Sequence, residues 1–177
     1  GDLRSRMMAL ADESVLGHPE IIRLFNYRFS KTASNSELKR RIESMVAGED
    51  SLTQYIINPM RSLICNHLGY FFKKMPAAFN LRGASIGNLI IVGGYINHHR
   101  ELDPIIYLFS ELVKVRGIVR SITDDNFHLA AELADGSQII GQHRLTGKEN
   151  PPISSPIVKL RLSSELTRFR GVTSSLK

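Results

Sequence analysis

The first half of the chain carries hydrophobic residues at helical spacing, interrupted by short polar stretches. The spacing predicts a short helix over residues 3–11, a second from Pro19 to about Phe29, a third from Ser36 to Gly48, and a fourth over 52–72. Proline suits the first position of a helix, so Pro19 is expected to begin the second one. Ser36 is expected to cap the third. Pro59 lies inside the fourth pattern and should kink or split that helix.

The second half changes from helical spacing to alternation. The apolar run 89–92 fits either a buried strand or a buried helix, because periodicity does not separate the two. A helix starting at Asp103 or Pro104 is predicted next, followed by strands over 115–122, 127–133, 139–141 and 157–162. Asp135-Gly136, between two of these strands, is typical of a hairpin turn. Helices followed by strands indicate an α/β or α+β layered domain.

Composition excludes several classes of protein. The 177 residues are 42% hydrophobic and 23% charged, which is ordinary globular usage and not that of a disordered chain. The apolar stretch 86–96 is too short for a membrane span, which needs roughly 18 apolar residues. The net charge of +6 is concentrated in residues 31–80 and 151–177. These segments lack the dense basic stripe with interleaved aromatics of nucleic-acid binders, so no nucleic-acid partner is expected.

Reactive side chains are few. Cys65 is the only cysteine, so no internal disulfide can form and a cytoplasmic location is expected. Because it lies in an apolar helical pattern, Cys65 is expected in the core and not as a nucleophile. The six histidines form no HExxH motif, and Cys65 has no companion cysteine. A zinc site is therefore not expected.

Two glycine-containing segments could bind an anion. Gly1 and Asp2 precede a helix, where backbone N–H groups bind phosphate and a carboxylate binds a cation. The alternative is that Asp2 only caps the helix. If the run 89–92 is helical, Ser85, Gly87 and Asn88 lie in its first turn, where unpaired amides meet phosphate and Gly87 lets a ligand approach the backbone. The alternative for this segment is a capped core helix.

Five motifs, in order and in register, resemble those of one family. They are Gly1-Asp2-Leu3-Arg4, Leu24-Phe25-Asn26-Tyr27-Arg28-Phe29, Ser85-Ile86-Gly87-Asn88-Leu89, Val115-Arg116-Gly117 and Ala131-Glu132-Leu133-Ala134-Asp135-Gly136. Over residues 1–29 and 82–162 the chain is thereby similar to the CofD/YvcK family. One branch of that family comprises 2-phospho-L-lactate transferases of deazaflavin-coenzyme synthesis. The other comprises YvcK-like proteins, which bind a UDP-sugar and influence carbon metabolism and cell-envelope growth.

The resemblance implies a truncated, three-layer Rossmann-like α/β domain over residues 1–162. It places a helical insertion at about 30–80 and leaves a basic tail over 163–177. Such sheets bind ligands at the carboxyl ends of their strands. The implied ligand contacts are Gly1, Asp2, Arg4, Ser85, Gly87, Asn88 and Thr123, with Asp2 as the candidate Mg²⁺ ligand. The implied small-molecule partner is a GDP- or UDP-linked nucleotide diphosphate.

The sequence also departs from the family's pattern. Ala84 stands where the family usually has His, and Ser121 stands where it usually has Pro. The family's Gly-Gly-x-Gly turn and its Gly-Pro-Gly-Ser segment are not found among these residues. A sheet that is short of strands leaves unpaired edges, so either a homo-oligomer or further segments are expected.

Three functions are consistent with this pattern. The first is a CofD-like protein that binds a nucleotide diphosphate and transfers a phospholactyl-type group. The second is a YvcK-like regulator that binds a UDP-sugar without turnover. Two motifs favour this branch, Tyr27-Arg28-Phe29 and Val115-Arg116-Gly117. The third is a degenerate fragment that acts only as an interaction module.

Overall fold

The chain divides into two compact units, residues 1–122 and 123–177, and a computed structural model describes residues 3–121, 127–145 and 152–164. The described part of the first unit is helical: α1 (Leu3–Ala9), a 3-10 turn (Val15–Gly17), α2 (Pro19–Asn26), α3 (Asn35–Ala47), α4 (Met60–Lys74), α5 (Ile86–Asn97) and α6 (Asp103–Leu112). The described part of the second unit contains β1 (His128–Leu133), β2 (Gln138–Ile140), α7 (Gln142–Leu145) and β3 (Ile157–Ser163). None of the helices in the described ranges could cross a membrane.

Proline, glycine and serine residues set the ends of several helices. Pro19 begins α2 as predicted, and Pro59 splits the fourth predicted helix, so that α4 starts only at Met60. The prediction that Ser36 caps α3 is wrong. Ser34 is the cap: its hydroxyl accepts from Glu37 N at 3.2 Å, while the Glu37 carboxylate accepts from Ser34 N at 2.9 Å. This reciprocal arrangement satisfies two backbone donors at once. Ser36 cannot form it, because the residue three positions later is Lys39, whose side chain cannot accept a hydrogen bond.

The apolar run that fitted a strand or a helix is the helix α5. It is apolar around most of its circumference because α1, α2, α4 and α6 all pack on it. Ile86 and Ile90 are completely buried there, and burial of each such side chain contributes about 1.5–3 kcal/mol. Gly93 lets α4 come close, since a Cβ at this position would lie 1.9 Å from the His67 carbonyl oxygen. Helix α5 is therefore the centre of the first unit.

The predicted strand over 115–122 is wrong for its described residues, 115–121. Its first backbone donors bond to the end of α6 and to the residue that follows α1 instead of to a neighbouring strand. The N–H of Val115 donates to Ser110 O at 2.9 Å, and that of Arg116 donates to Leu10 O at 2.7 Å. Alternating hydrophobicity predicts extended backbone, but a strand also needs an adjacent strand to accept its hydrogen bonds.

The second unit has a three-stranded antiparallel sheet in the order β2-β1-β3. The predicted hairpin turn at Asp135-Gly136 joins β1 to β2, and Gly136 has a φ of +81°, which favours glycine. Ala130, Ala131 and Leu133 of β1 are buried, whereas most of the edge strand β3 is exposed. The predicted boundary at residue 162 and the basic tail stay predictions, because residues 165–177 lie outside the described residues.

Candidate ligand site at the start of helix α5

Two of the five motifs meet where α5 begins. Arg28 and Ser85 form an antiparallel bridge, so the backbone after α2 runs alongside the backbone that enters α5. The bridge is flanked by two backbone hydrogen bonds, Phe29 N to Ala84 O at 2.9 Å and Ile86 N to Tyr27 O at 3.0 Å. Residues directly opposite in such a pair have side chains on the same face, which puts Arg28 beside Ser85.

Ser85 is the N-cap residue of α5, but its hydroxyl does not cap the helix. The side chain is only 3% exposed, and its Oγ has no hydrogen-bond partner among the described residues. A buried hydroxyl without a partner costs about 1–3 kcal/mol. The helix also leaves the N–H groups of Gly87 and Asn88 without intrahelical acceptors. Donors and an unsatisfied hydroxyl therefore coincide at this helix start.

Arg4 joins α1 to the end of α2. Its guanidinium is buried and donates to Asn26 Oδ1 at 3.0 Å, to the Phe25 carbonyl at 3.4 Å and to Ser5 Oγ at 3.0 Å. A cation near the last carbonyls of a helix is stabilised by the helix dipole. The structure thus shows Arg4, predicted as a ligand residue, as a connection between two helices.

Gly87 lies at the contact between α5 and these two helices. A Cβ at Gly87 would lie 2.6 Å from the Phe25 carbonyl oxygen and 2.8 Å from Arg4 Cδ. The absence of a side chain therefore serves close packing, and a role in admitting a ligand stays a prediction. Asn88, one residue later, is half-buried and makes no side-chain hydrogen bond within the described ranges.

Three of the predicted site residues cannot be placed. Gly1, Asp2 and Thr123 lie outside the described residues. Of the other four, Arg4 and Gly87 touch each other, and Ser85, Gly87 and Asn88 share the first turn of α5. No cluster of three metal-binding side chains occurs in the described ranges.

Helix α3 holds the loop that leads into α5. The amide of Asn35 donates to Phe79 O and accepts from Leu81 N, each at 2.9 Å. Arg82 Nε donates to Ala33 O at 2.8 Å. The role of Asn35 could not be read from the sequence, since its two partners lie 44 and 46 residues away along the chain. Residues of the range predicted as an insertion therefore hold the loop that leads into α5 in place.

Tyr27, in the second motif, is anchored to the same helix. The Arg41 guanidinium lies 4.6 Å from the centre of the Tyr27 ring, donates to the Tyr27 hydroxyl, and pairs with the Asp50 carboxylate at 3.0 Å. Burial opposes the charge of Arg41, but the hydrogen bond and charge of Asp50 outweigh it and raise the pKa of Arg41. This network orients the backbone that bridges to Ser85.

The buried His67 and Cys65 on α4 belong to the core. His67 is 3% exposed, with its ring 5.7 Å from that of His98 and 5.8 Å from that of Phe109. Burial, followed by the charge of His98, lowers the pKa of His67 to about 4. Cys65 is in the core as expected, where its thiol donates to Met45 O and burial raises its pKa. Neither residue is part of the first turn of α5.

Two surface grooves have no lining residue in common with the first turn of α5. One, of about 740 Å³, is lined by residues of α3, α4 and the segment before α4, including Arg61, Asn66 and Tyr70. The other, of about 610 Å³, is lined by α6 and the segment after it. Neither contains a residue predicted to bind the ligand.

Comparison with known proteins identifies the family. The model of the family described as 2-phospho-L-lactate transferase CofD matches residues 1–170. The chain belongs to the CofD family. No curated protein matches this CofD chain.

One solved structure shows a similar fold. The crystal structure of a UPF0052 family protein from Bacillus halodurans matches 94% of the CofD chain with 19% identity and a TM-score of 0.50. The chain spans about a third (35%) of the length of that protein. A second structure of a protein from Bacillus halodurans matches 78% of the chain and 42% of its own length, with 17% identity and a TM-score of 0.38. The predicted mixed α/β class is confirmed, although the sheet within the described residues is antiparallel.

Proposed function

We propose that this CofD chain contributes to a site for a nucleotide-diphosphate ligand and that the complete protein transfers a phospholactyl-type group. The observation that carries the proposal is the start of α5, where the buried, unpartnered Ser85 Oγ lies beside the unpaired N–H groups of the first helical turn. Such donors bind phosphate oxygens, and the helix dipole favours a negative ligand. Membership of the CofD family supports a transferase as the coarse class.

The proposed chemistry is attack of an acceptor hydroxyl on the phosphorus of the phospholactyl group. The new O–P bond forms as the bond from that phosphorus to the bridging oxygen of the diphosphate breaks, the nucleoside monophosphate leaves, and the hydroxyl proton passes to solvent. Catalysis of this kind rests mainly on positioning and on stabilisation of developing charge. The first-turn amides and Asn88 would hold the phosphate side, with Gly1, Arg4 and Thr123 as further proposed contacts. The first turn of α5 supplies hydroxyl and amide oxygens but no carboxylate, so Asp2 is the residue that would hold Mg²⁺ together with the phosphates. The ion would neutralise the diphosphate.

A second candidate is a YvcK-like regulator that binds a UDP-sugar in the same place without turnover. The bridge between Arg28 and Ser85 favours this candidate. It places the Tyr27-Arg28-Phe29 motif, which resembles the YvcK-like branch, directly against the start of α5. Turnover of a phospholactyl-nucleotide with a deazaflavin acceptor would support the transferase. Saturable binding of a UDP-sugar with no turnover would support the regulator.

The first experiment is a thermal-shift panel on the full 177-residue chain. UDP-sugars, GDP and GTP are each tested with and without Mg²⁺. A ligand that binds only the folded state adds about 2.7 kcal/mol at 100 times its dissociation constant. A shift with one of these nucleotides supports the proposal and identifies the base, whereas no shift with any of them contradicts it.

The Asn88→Ala variant tests where the nucleotide binds. We expect at least a tenfold (roughly 1.4 kcal/mol) loss of nucleotide affinity with the fold retained. Asn97→Ala is the matched control, since Asn97 is the last residue of the same helix, about 14 Å away along its axis. Equal nucleotide affinities in the two variants would show that the nucleotide does not bind at the start of α5.

We further propose that the chain forms homo-oligomers in the cytoplasm. The edge strand β3 exposes Val158, Leu160 and Leu162, each at least half exposed, and unpaired edges favour association. Light scattering behind a sizing column measures the mass directly. A monomer at micromolar concentration would contradict this proposal. An oligomer that binds no nucleotide would instead favour the interaction module.

A further inference from the structure

We propose that a cationic cluster, formed by Arg28, Lys31 and Arg82, binds the phosphate groups of a ligand that carries at least two negative charges. This inference rests on the proposed function, because it concerns the same site and specifies which side chains receive the phosphates. Three observations carry it. Three positive side chains lie along one loop, the ion pairs of the described ranges include none of them, and Ser85 lies next to this loop.

Three cationic side chains contact or belong to the loop around Gly83. Arg28 Nη1 donates to Gly83 O at 3.1 Å, and a Cβ placed on Gly83 would lie 3.5 Å from Lys31 Cγ. Arg82 directly precedes Gly83 in the loop, and its Nε donates to Ala33 O at 2.8 Å. Two loops that are far apart in sequence are therefore held in contact, and together they carry three cationic side chains.

Carboxylates in the described ranges do not neutralise this cluster. The ion pairs found there include none of its three members. The nearest acidic residue along the chain, Glu37, instead accepts hydrogen bonds from Ser34 and interacts with the charge of Arg40. Three like charges held close together repel each other, and a polyanion relieves that repulsion.

Ser85 connects the cluster to the helix start. Arg28 is directly opposite Ser85 in the antiparallel bridge, so their side chains stand on one face. The buried Ser85 Oγ lacks a partner in the described part of the chain, and the adjacent amides of α5 are donors. A ligand with a single phosphate could use the helix start alone. A diphosphate could reach from the helix start to the cations. We therefore expect the site to bind a diphosphate more tightly than a single phosphate.

Inorganic pyrophosphate is the probe, measured by calorimetry on the full chain, with inorganic phosphate as the comparison. We expect pyrophosphate to bind at least tenfold more tightly than phosphate. Lys31→Gln should weaken pyrophosphate binding about tenfold, the value of one lost charge-assisted contact. The triple variant Arg28→Gln/Lys31→Gln/Arg82→Gln should weaken it at least 100-fold. Arg100→Gln, which removes an exposed charge beyond the other end of α5, should change it less than twofold.

Lys31→Gln is the decisive variant because Lys31 makes no hydrogen bond or ion pair within the described ranges, so its loss leaves the fold intact. Pyrophosphate affinity that is equal in Lys31→Gln and Arg100→Gln, or absent from the unmodified chain, overturns the inference. Nucleotide binding that is unaffected by Lys31→Gln would overturn it while leaving the proposed function in place. Pyrophosphate binding through Lys31 without any nucleotide binding would support the inference and contradict the proposed function.

Discussion

Gly87 and Phe25 approach so closely that a single added carbon at Gly87 would overlap the carbonyl oxygen of Phe25. The expected separation of that Cβ from the oxygen is 2.6 Å, well inside van der Waals contact. The carbonyl belongs to the backbone of α2, which cannot move without moving the helix. The position of α5 relative to α2, and with it the geometry of the candidate site, therefore depends on a glycine here.

We predict that Gly87→Ala lowers the free energy of unfolding by about 1–3 kcal/mol through overpacking. Gly69→Ala is the matched control, because both glycines are helical and both gain up to about 1 kcal/mol of helix propensity. At Gly69 the new Cβ would meet the Val46 side chain at 3.1 Å, which can shift. Urea unfolding of both variants makes the measurement. Similar stabilities for the two variants would contradict the packing role of Gly87.

Ser85→Ala should separate stability from binding. Its hydroxyl is buried without a partner in the described ranges, so we expect the alanine variant to be as stable as the unmodified chain or up to about 1 kcal/mol more stable. The same change should weaken pyrophosphate or nucleotide binding about tenfold, the value of one lost hydrogen bond to a charged group. Unfolding and calorimetry on one preparation test both. A variant that loses stability, or keeps full affinity, would show that the hydroxyl has only a packing role.

Asn35→Ala is expected to loosen the loop that leads into α5. It removes both hydrogen bonds to residues 79 and 81, each worth about 0.5–1.5 kcal/mol. Hydrogen exchange provides the local readout, since the Leu81 amide loses its acceptor and should exchange at least tenfold faster. The amide of Leu89, inside α5, is the internal reference. Its exchange rate should change only as far as the variant lowers the global free energy of unfolding. Unchanged exchange at Leu81 would mean that the loop is held by other contacts.

His67 should make stability depend on pH below neutrality. Its pKa falls from about 6.5 in the unfolded chain to about 4 in the folded one, so the unfolded state binds the proton first as pH drops. The associated stability is complete above pH 6.5 and is lost progressively as pH falls toward 4. We expect a loss of about 2 kcal/mol between pH 7 and pH 5.

Urea unfolding at the two pH values measures this loss, and nuclear magnetic resonance follows the imidazole of His67 directly. His99→Gln removes an exposed histidine and should leave the pH dependence unchanged. His67→Phe should flatten it, even if the variant is less stable overall. A His67 titration midpoint near 6.5 in the folded chain would contradict the prediction.

Much of the helical architecture could be predicted because its signals are local. Pro19, Gly48 and Pro59 mark helix boundaries through backbone geometry alone, and the turn at Asp135-Gly136 has equally local chemistry. The strand predicted after α6 was wrong because a strand depends on a distant partner. The Ser34 cap was missed in favour of Ser36, although Glu37, three residues after Ser34, was a readable signal.

The sequence predicted which residues share the first turn of α5 but not the geometry around that turn, and ligand binding by these residues stays a prediction. Ser85, Gly87 and Asn88 were selected correctly as a first helical turn once the run 89–92 was helical. The packing contacts of Arg4 and Gly87 could not be predicted, since the distance between two helices cannot be read from spacing along one chain, and their ligand roles stay predictions. The antiparallel bridge of Arg28 with Ser85 spans 57 residues, and spacing along the chain does not predict a pairing over that distance.

The central position of α5 has a further consequence for recognition. A helix that is packed by neighbours on most of its circumference has little freedom to tilt or fray, so its first-turn N–H groups point in fixed directions before any ligand arrives. A ligand that binds there pays little ordering entropy, because the donors are already preorganised. Discrimination between anions would then depend on how well their oxygen atoms match a rigid template.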